Sequence, residues 1–306
     1  METIRVTAAS TNACWGQIDG NIQKAVLAAR QAAQEGSRLL LLPECCLTGG
    51  DWCTGAREPR VEDVALRIDG PEVGRMAAAA RETDVIIAAG FYERCGGNVY
   101  ITQALLGPAG LIGAYRKVHE GRRSSDDAEL FPVFDLGFAR VGISICRDNM
   151  LPECARILAL KGTELLLAPF MSLPLSRRQW RLNRLLALRA RAQDNRLFVL
   201  SASHAMPHVK GRPSEWGYSG ICCAVDPLGQ VIAESKGRAG QPQRLTVTLD
   251  EALRRTYVLA DVPSIRDRRP DAYRELVDGN LQRRYVECFP PFEYNERADR
   301  LTVERP

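Results

Sequence analysis

Three short and almost wholly apolar runs limit what this chain can fold into. They are residues 38–42 (RLLLL), 85–90 (VIIAAG) and 164–168 (ELLLA). Runs of this kind suit β-strands that are covered on both faces, whereas a strand with one wet face alternates apolar and polar residues. Pro43 and Pro169 follow two of the runs. The chain therefore predicts an α/β fold in which sheets lie under layers of helices.

Two parts of the chain share one layout. Residues 4–43 and residues 140–169 each have the pattern of a strand, a helix, an apolar strand and a proline. No linker or shift in composition divides the chain. We therefore predict two similar α/β halves within a single domain of residues 1–275. We expect the Pro- and Arg-rich tail of residues 276–306 to pack on that domain or on a partner subunit.

Three helices can be placed in detail. Asp19 is a candidate N-cap for a helix over Asn21–Glu35, because a short polar side chain there can accept a hydrogen bond from the first turn. Pro152 begins a helix that reaches Lys161, since proline is tolerated in the first turn. A long helix rich in Leu and Arg is predicted over Gln179–Gln193.

Composition excludes several classes of partner. The formal net charge is +4 and the basic residues are dispersed, which argues against nucleic acid and against a membrane surface. No run reaches the ~18 apolar residues of a membrane span. The N-terminus lacks the apolar core of a signal peptide, and ten cysteines without one suggest reduced thiols. We therefore expect a cytoplasmic protein.

Metal spacing is absent from the sequence. It contains no C-x-x-C, and Pro207 lies between His204 and His208, so these histidines are not expected to share a helix face. We expect neither a metal nor an organic cofactor.

The segment RVGISICRDNMLPE (140–153) places a cysteine at a strand-to-helix junction. Val141, Ile143 and Ile145 alternate with other residues, which predicts a strand that ends at Cys146. Backbone N–H groups at such a junction favour negative charge and would stabilise a thiolate nucleophile. A buried cysteine that merely closes a strand fits the same stretch equally well.

Two more polar residues occupy comparable positions. Glu44 and Lys117, like Cys146, lie at or just beyond the carboxyl end of a predicted strand. Ligands bind at that edge of open α/β sheets. A carboxylate, an amine and a thiol that converge there would supply a base, an electrophilic cation and a nucleophile.

The same residues carry a family resemblance. PE in LLLLPECCLTGG, RK in GAYRKVHE and C-x-D-x-x-x-P-E in GISICRDNMLPE occur in the order and spacing of the carbon–nitrogen hydrolase (nitrilase/amidase) superfamily, which the chain resembles over about residues 4–275. RAQDNRLFVL resembles a further family segment, with Asp194 in place of the usual Glu. The resemblance implies a four-layer α-β-β-α sandwich that forms a homodimer or a higher homo-oligomer.

The resemblance also implies roles for individual residues. Cys146 matches the nucleophile, Glu44 the general base, and Lys117 the group that stabilises the tetrahedral intermediate. Glu129 matches a second glutamate that helps to hold the lysine and the substrate, and the backbone N–H of Arg147 would contribute to the oxyanion site. Candidates for the substrate pocket are Trp52, His119, Asp148 and Asn149.

These roles predict cleavage of a non-peptide C–N bond in a small amide or N-carbamoyl compound through a cysteine thioester, with release of ammonia or an amine. Nitrile-hydrolysing relatives carry Trp-Glu after the nucleophile, whereas this chain has Arg147 and Asp148. D-Amino-acid carbamoylases carry arginines where this chain has Asn149 and Met150. Alternatives are a nitrilase, transfer of the acyl group to an amine, and a protein that only binds a partner.

Overall fold

The structure is a computed structural model that describes residues 1–50, 59–119, 130–171, 177–206, 218–238, 240–260, 263–279 and 281. The chain divides into two compact units, Met1–Asp261 and Val262–Pro306. Trp52 and Glu129 lie outside the described residues. The extent predicted for the domain, residues 1–275, and the packing of the tail stay predictions.

The first unit contains two six-stranded sheets. The first sheet consists of β1 (Ile4–Ala9), β2 (Leu39–Leu41), β3 (Ile86–Cys95), β4 (Asn98–Gly107), β5 (Gly110–Arg116) and β14 (Arg244–Leu249). The second consists of β6 (Val133–Asp135), β7 (Arg140–Ile143), β8 (Leu165–Phe170), β9 (Phe198–Ser203), β12 (Cys222–Val225) and β13 (Val231–Glu234). A two-stranded ribbon is formed by β10 (Ala205–Met206) and β11 (Tyr218–Ser219).

Both sheets are mixed and have related topologies. Their strand orders are β14-β1-β2-β3-β4-β5 and β13-β12-β9-β8-β7-β6. In each sheet three central strands run parallel, and antiparallel strands flank them. The helices of this unit are α1 (Ile18–Gln34), α2 (Val61–Val64), α3 (Pro71–Thr83), α4 (Pro152–Leu160), α5 (Arg177–Trp180), α6 (Leu186–Asn195) and α7 (Glu251–Ala260).

The leucine run of β2 shows how the layers are held together. Leu39 and Leu41 belong to a core that contains residues of both sheets, whereas Leu40 and Leu42 pack with residues of α1 and α3. All four are fully buried. Burial of one such side chain contributes about 1.5–3 kcal/mol relative to its exposure. The prediction of strands covered on both faces is therefore confirmed.

The layers follow from these two cores. Helices α1 and α3 pack on the first sheet, α4 packs on α6, and α6 packs on the second sheet through β9 and β12. The order is therefore helices, sheet, sheet and helices, which is the four-layer sandwich. Each repeated segment forms one parallel unit, β1-α1-β2 in the first sheet and β7-α4-β8 in the second.

Three local predictions need correction. Asp19 lies inside the first turn of α1 and forms an ion pair with Arg75 instead of capping the helix. Strand β8 continues through Pro169, because β7 pairs with β8 only as far as Leu167 and no ladder bond to β7 is required of the proline beyond it. The long helix predicted over 179–193 is interrupted by a π-helical segment, Arg181–Leu185.

The second unit has short helical segments in its described part. They are α8 (Pro263–Arg266) and a 3₁₀ helix over Pro270–Val277. Arg269 and Asp271 form an exposed ion pair at the start of the latter. Among the described residues of the whole chain, no helix is both long and apolar enough to cross a membrane.

Candidate active site

Glu44 lies in the turn that follows β2 and is fully buried. Its Oε1 accepts a hydrogen bond of 2.7 Å from the Nζ of Lys117, and its Oε2 accepts one of 2.7 Å from the backbone N–H of Met171. Both carboxylate oxygens are thus held in place. The next residue, Cys45, has a φ of 52°, an uncommon conformation outside glycine, so the turn is tightly constrained.

Lys117 directly follows β5. It is 7% exposed, and its backbone N–H donates to the carbonyl of Ile101 on β4. A buried ammonium is costly unless it is paired. The carboxylate of Glu44 supplies that pairing, so the two side chains keep each other charged and oriented.

Cys146 begins a 3₁₀ turn, Cys146–Met150, between β7 and α4. Its φ is 47°, and the residue is 6% exposed. A left-handed conformation at a residue other than glycine costs about 1–3 kcal/mol and is concentrated at functional sites. The turn places the thiol at the carboxyl end of the second sheet, where the predicted strand-to-helix junction lies.

The electrostatics of the thiol differ from the expected stabilised thiolate. Burial, and secondarily the charge of Glu44, raise the pKa of Cys146 to about 12, while Lys117, Arg184 and the N–H of Met171 act in the opposite direction. Cys146 therefore rests as a neutral thiol near pH 7. The influence of Glu44, Lys117 and Met171 on it shows that the site is assembled from both sheets.

The start of the 3₁₀ turn supplies a hydrogen-bond donor. The first N–H groups of a helical turn have no partner within it, and Arg147 is the second residue of this turn. The N–H of Asp148 closes the turn onto the carbonyl of Ile145. The N–H of Arg147 thus remains available beside Cys146, while its side chain is exposed.

Asp148 connects the cysteine turn to the lysine strand. Its Oδ2 accepts from the hydroxyl of Tyr115 at 2.8 Å and from the N–H of Ile145 at 3.2 Å. Its Oδ1 accepts from the backbone N–H of His119 at 2.9 Å and lies 2.9 Å from Nδ1 of the same residue. Burial and the Asp148 charge raise the pKa of Tyr115, which therefore stays a donor.

The same network includes a second thiol. Sγ of Cys154 lies 3.6 Å from Nδ1 of His119. Candidate ligand atoms of His119, Asp148 and Cys154 lie within 4.8 Å of one another. Because both oxygens of Asp148 already accept hydrogen bonds, this cluster acts as a structural network as it stands.

Asn149 braces the turn from the inside. It is fully buried, and its Nδ2 donates to the carbonyl of Ser144 at 2.5 Å. Arg191 on α6 donates to the carbonyls of Asn149 and Met150 at the end of the turn. The places of Asp148 and Asn149 explain the shape of the turn, and their predicted contact with substrate stays a prediction.

The structure brings together Glu44, Lys117 and Cys146, as their positions after strands predict. It also shows groups that the sequence does not single out: the N–H of Met171, the hydroxyl of Tyr115 and the side chain of Arg184. Met171 follows the apolar strand β8 directly, and this position at the end of a strand is the signal that could have revealed it.

Comparisons with known proteins agree with this arrangement. The sequence model of the carbon-nitrogen hydrolase family matches residues 5–257. The chain is 36% identical to a nitrilase from Pyrococcus abyssi over 60% of its length and 68% of the relative. It is 28% identical to the human omega-amidase NIT2 (83% and 91%) and 27% identical to the N-carbamoylputrescine amidase of Arabidopsis thaliana (88% and 94%).

The fold has solved counterparts. An amidase of the nitrilase superfamily from Nesterenkonia superposes with a TM-score of 0.70 at 22% identity, over 90% of this chain and 97% of the other. The sandwich, the family match over most of the chain and the amidases among its relatives lead to one conclusion. This chain belongs to the carbon–nitrogen hydrolase family and is a nitrilase-superfamily enzyme with amidase relatives.

Proposed function

We propose that the protein hydrolyses a small amide or N-carbamoyl compound through a thioester on Cys146. One observation carries the proposal: the buried Glu44–Lys117 pair lies beside the buried thiol, and the N–H of Met171 contacts the same carboxylate. A base, a cation and a nucleophile in a largely water-excluded site are what acyl transfer requires.

The first half-reaction forms the thioester. Because the pKa of Cys146 is about 12, the thiol needs a base, and Glu44 takes its proton as sulfur attacks the carbonyl carbon. The carbonyl oxygen becomes an oxyanion next to Lys117 and the N–H of Arg147. Loss of one such donor typically costs about 3 kcal/mol of transition-state stabilisation.

The second half-reaction restores the enzyme. Glu44 returns its proton to the departing nitrogen, the C–N bond breaks, and ammonia or an amine leaves. A water molecule then gives a proton to Glu44 and attacks the thioester carbon. The C–S bond breaks, the sulfur takes the proton back, and the acid product leaves. The same carboxylate serves as base and acid in both halves.

A relative supports the covalent step. The amidase from Nesterenkonia sp. AN1 undergoes covalent addition of the acetamide moiety of fluoroacetamide at its active-site cysteine. In this chain Cys146 occupies the place in the C-x-D-x-x-x-P-E motif that corresponds to the nucleophile. Glu129 as a second glutamate, and assembly into a homo-oligomer, remain expectations that accompany this proposal.

The test is release of ammonia from a panel of small amides and N-carbamoyl compounds. We expect Cys146→Ala to abolish release and to prevent any acyl adduct detectable by mass spectrometry. Cys222→Ala is the matched control, since Cys222 is an equally buried thiol on β12. Full activity in the Cys146 variant would refute the proposal.

Nitrile hydrolysis is a second candidate, because the Pyrococcus abyssi relative is a nitrilase. The same panel extended to nitriles separates the two reactions. We favour the amide because Arg147 and Asp148 stand where nitrile-hydrolysing relatives carry Trp-Glu. Hydrolysis of nitriles with no hydrolysis of amides would reverse that preference.

A further inference from the structure

Arg184 is a cation beside the cysteine turn that no described carboxylate neutralises. Its Nη1 lies 2.9 Å from the Sδ of Met150, the last residue of the turn, and its Cζ lies 5.9 Å from the ring centroid of Phe170. Its Nε is buried and has no hydrogen-bond partner among the described residues. A thioether and an aromatic face are weak partners for a guanidinium, which carries five donors.

The other arginines of this helical region are better satisfied. Arg177 and Arg181 both pair with Glu234, and Arg189 and Arg191 donate to backbone carbonyls. Arg184 differs because its described contacts are to Met150 and Phe170, on the side of the helix that meets the cysteine turn and the end of β8. An incompletely paired buried donor is costly to retain for packing alone.

The backbone that carries Arg184 is itself unusual. Arg184 lies within the π-helical segment Arg181–Leu185. Such segments are rare and occur frequently at functional sites, because the extra residue in the turn changes the direction in which side chains project. Here the segment lies between α5 and α6, beside Met150 of the 3₁₀ turn that Cys146 begins.

The electrostatic influence of Arg184 reaches the nucleophile. Its charge acts to lower the pKa of Cys146, as does that of Lys117. Lys117 is already paired with Glu44. Arg184 is therefore a positive charge near the thiol that remains free, as far as the described residues go, to attract a negative group on the substrate.

We propose that Arg184 binds a carboxylate of the substrate, so that the preferred substrate is an amide or N-carbamoyl compound with an anionic group at the end remote from the scissile bond. This inference rests on the proposed function and names its substrate class. A guanidinium binds a carboxylate in a planar, two-point geometry, and the unpartnered Nε with one Nη supplies such an edge. The rigid ring of Phe170 would support the guanidinium from one side.

The experiment compares isosteric substrates that differ in charge. Succinamate, butyramide and the cationic 4-aminobutyramide are assayed with wild type, Arg184→Gln and Arg184→Lys, and malonamate and glutaramate test the distance between the two groups. We expect kcat/KM of the wild type to be highest for one of the anionic amides. Arg184→Gln should lower that value by at least about 30-fold and change the value for butyramide by less than about threefold.

Two further variants locate the effect. Arg181→Gln is the matched control, because Arg181 lies in the same π-helical segment but is exposed and paired with Glu234. Arg147→Gln tests the exposed arginine next to the nucleophile. Loss of the anionic preference in the Arg147 variant and not in the Arg184 variant would overturn the inference, as would an equal loss on charged and neutral amides.

Failure of this inference is distinguishable from failure of the proposed function. Cys146-dependent hydrolysis of butyramide without preference for anionic amides leaves the proposed function intact and removes the role of Arg184. If none of the panel is hydrolysed, calorimetric titration of succinamate into the Cys146→Ala protein still decides: binding that Arg184→Gln weakens at least about 10-fold supports the subsite, and equal or absent binding overturns it.

Discussion

Oδ2 of Asp148 accepts a hydrogen bond of 2.8 Å from the hydroxyl of Tyr115, and this contact joins the turn of the proposed nucleophile to the strand that leads to Lys117. Tyr115 and His119 lie two residues before and after Lys117, and both donate to the same buried carboxylate. Asp148 is itself two residues from Cys146. The relative position of the amine and the thiol therefore depends on one side chain.

Removal of the Tyr115 hydroxyl tests this link. Tyr115→Phe should lower the free energy of unfolding by about 1.5–3 kcal/mol, since a hydrogen bond to a charged group is lost. It should also lower kcat by about 10-fold with little change in KM, because small displacements of reacting groups are costly. Urea unfolding and steady-state kinetics measure both effects. Tyr100→Phe, at the half-buried ring beneath Arg116, is the control, and equal kinetics for both variants would contradict the link.

The Glu44–Lys117 pair makes a prediction for stability. Lys117→Met leaves a buried carboxylate that keeps the N–H of Met171 but loses its cation. We expect a loss of about 3–5 kcal/mol, which is typical when one partner of a buried pair is removed. The double variant Glu44→Gln/Lys117→Met should be more stable than Lys117→Met, because no uncompensated charge remains. Additive losses in a double-mutant cycle would show that the two side chains are not coupled.

Gly90 on β3 tests the support of the turn that carries Glu44. A Cβ at this position would lie 2.7 Å from the backbone N of Cys45 and 2.8 Å from the carbonyl oxygen of Pro43. Gly90→Ala should therefore displace the turn and reduce both stability and kcat. Gly74→Ala is the control: it adds a Cβ in open space on helix α3 and should stabilise by about 0.5–1 kcal/mol. Wild-type activity in the Gly90 variant would contradict the account of this contact.

Buried thiols predict a loss of stability at high pH. Burial raises the pKa of Cys46 from 9.0 to about 12. Its contribution is fully present below pH 9.0 and is lost as pH rises through 12, because the unfolded thiol ionises first and the folded state then holds the extra proton. Between these values stability should fall by about 1.4 kcal/mol per pH unit for this group.

The measurement is denaturant unfolding between pH 8 and 11 with wild type and Cys46→Ala. The variant should be less stable at pH 8, because a cavity replaces the thiol, but its decline with pH should be shallower. Cys14→Ala, at an exposed thiol, should leave the slope unchanged. Parallel slopes for all three proteins would refute the prediction.

Much of the fold and of the site could be predicted because it depends on local pattern. The run that contains Leu39–Leu42 requires cover on both faces whatever lies above and below it. Glu44, Lys117 and Cys146 each follow a strand, and strand ends meet at sheet edges. The structure confirms that these three residues converge, and their roles in catalysis stay a prediction.

The parts that escaped prediction depend on contacts between distant residues. Met171 contributes only a backbone N–H, which its residue type does not reveal. The left-handed conformations of Cys45 and Cys146 are imposed by the turns around them, since neither is a glycine. Pro169 fits within β8 only because β7 has already turned away at Cys146. The helix predicted over 179–193 matched the ordinary period, and the π-helical segment that presents Arg184 follows from packing against the cysteine turn.

The division of the site between two sheets has a consequence for biosynthesis. Glu44 and Lys117 follow strands of one sheet, and Cys146 and Met171 follow strands of the other. A nascent chain that has completed only the first parallel unit holds the base without the sulfur. The thiol meets its base only when the second half docks, so a partly synthesised chain cannot acylate itself with passing metabolites. Competence for chemistry thus reports that the two halves have joined in register.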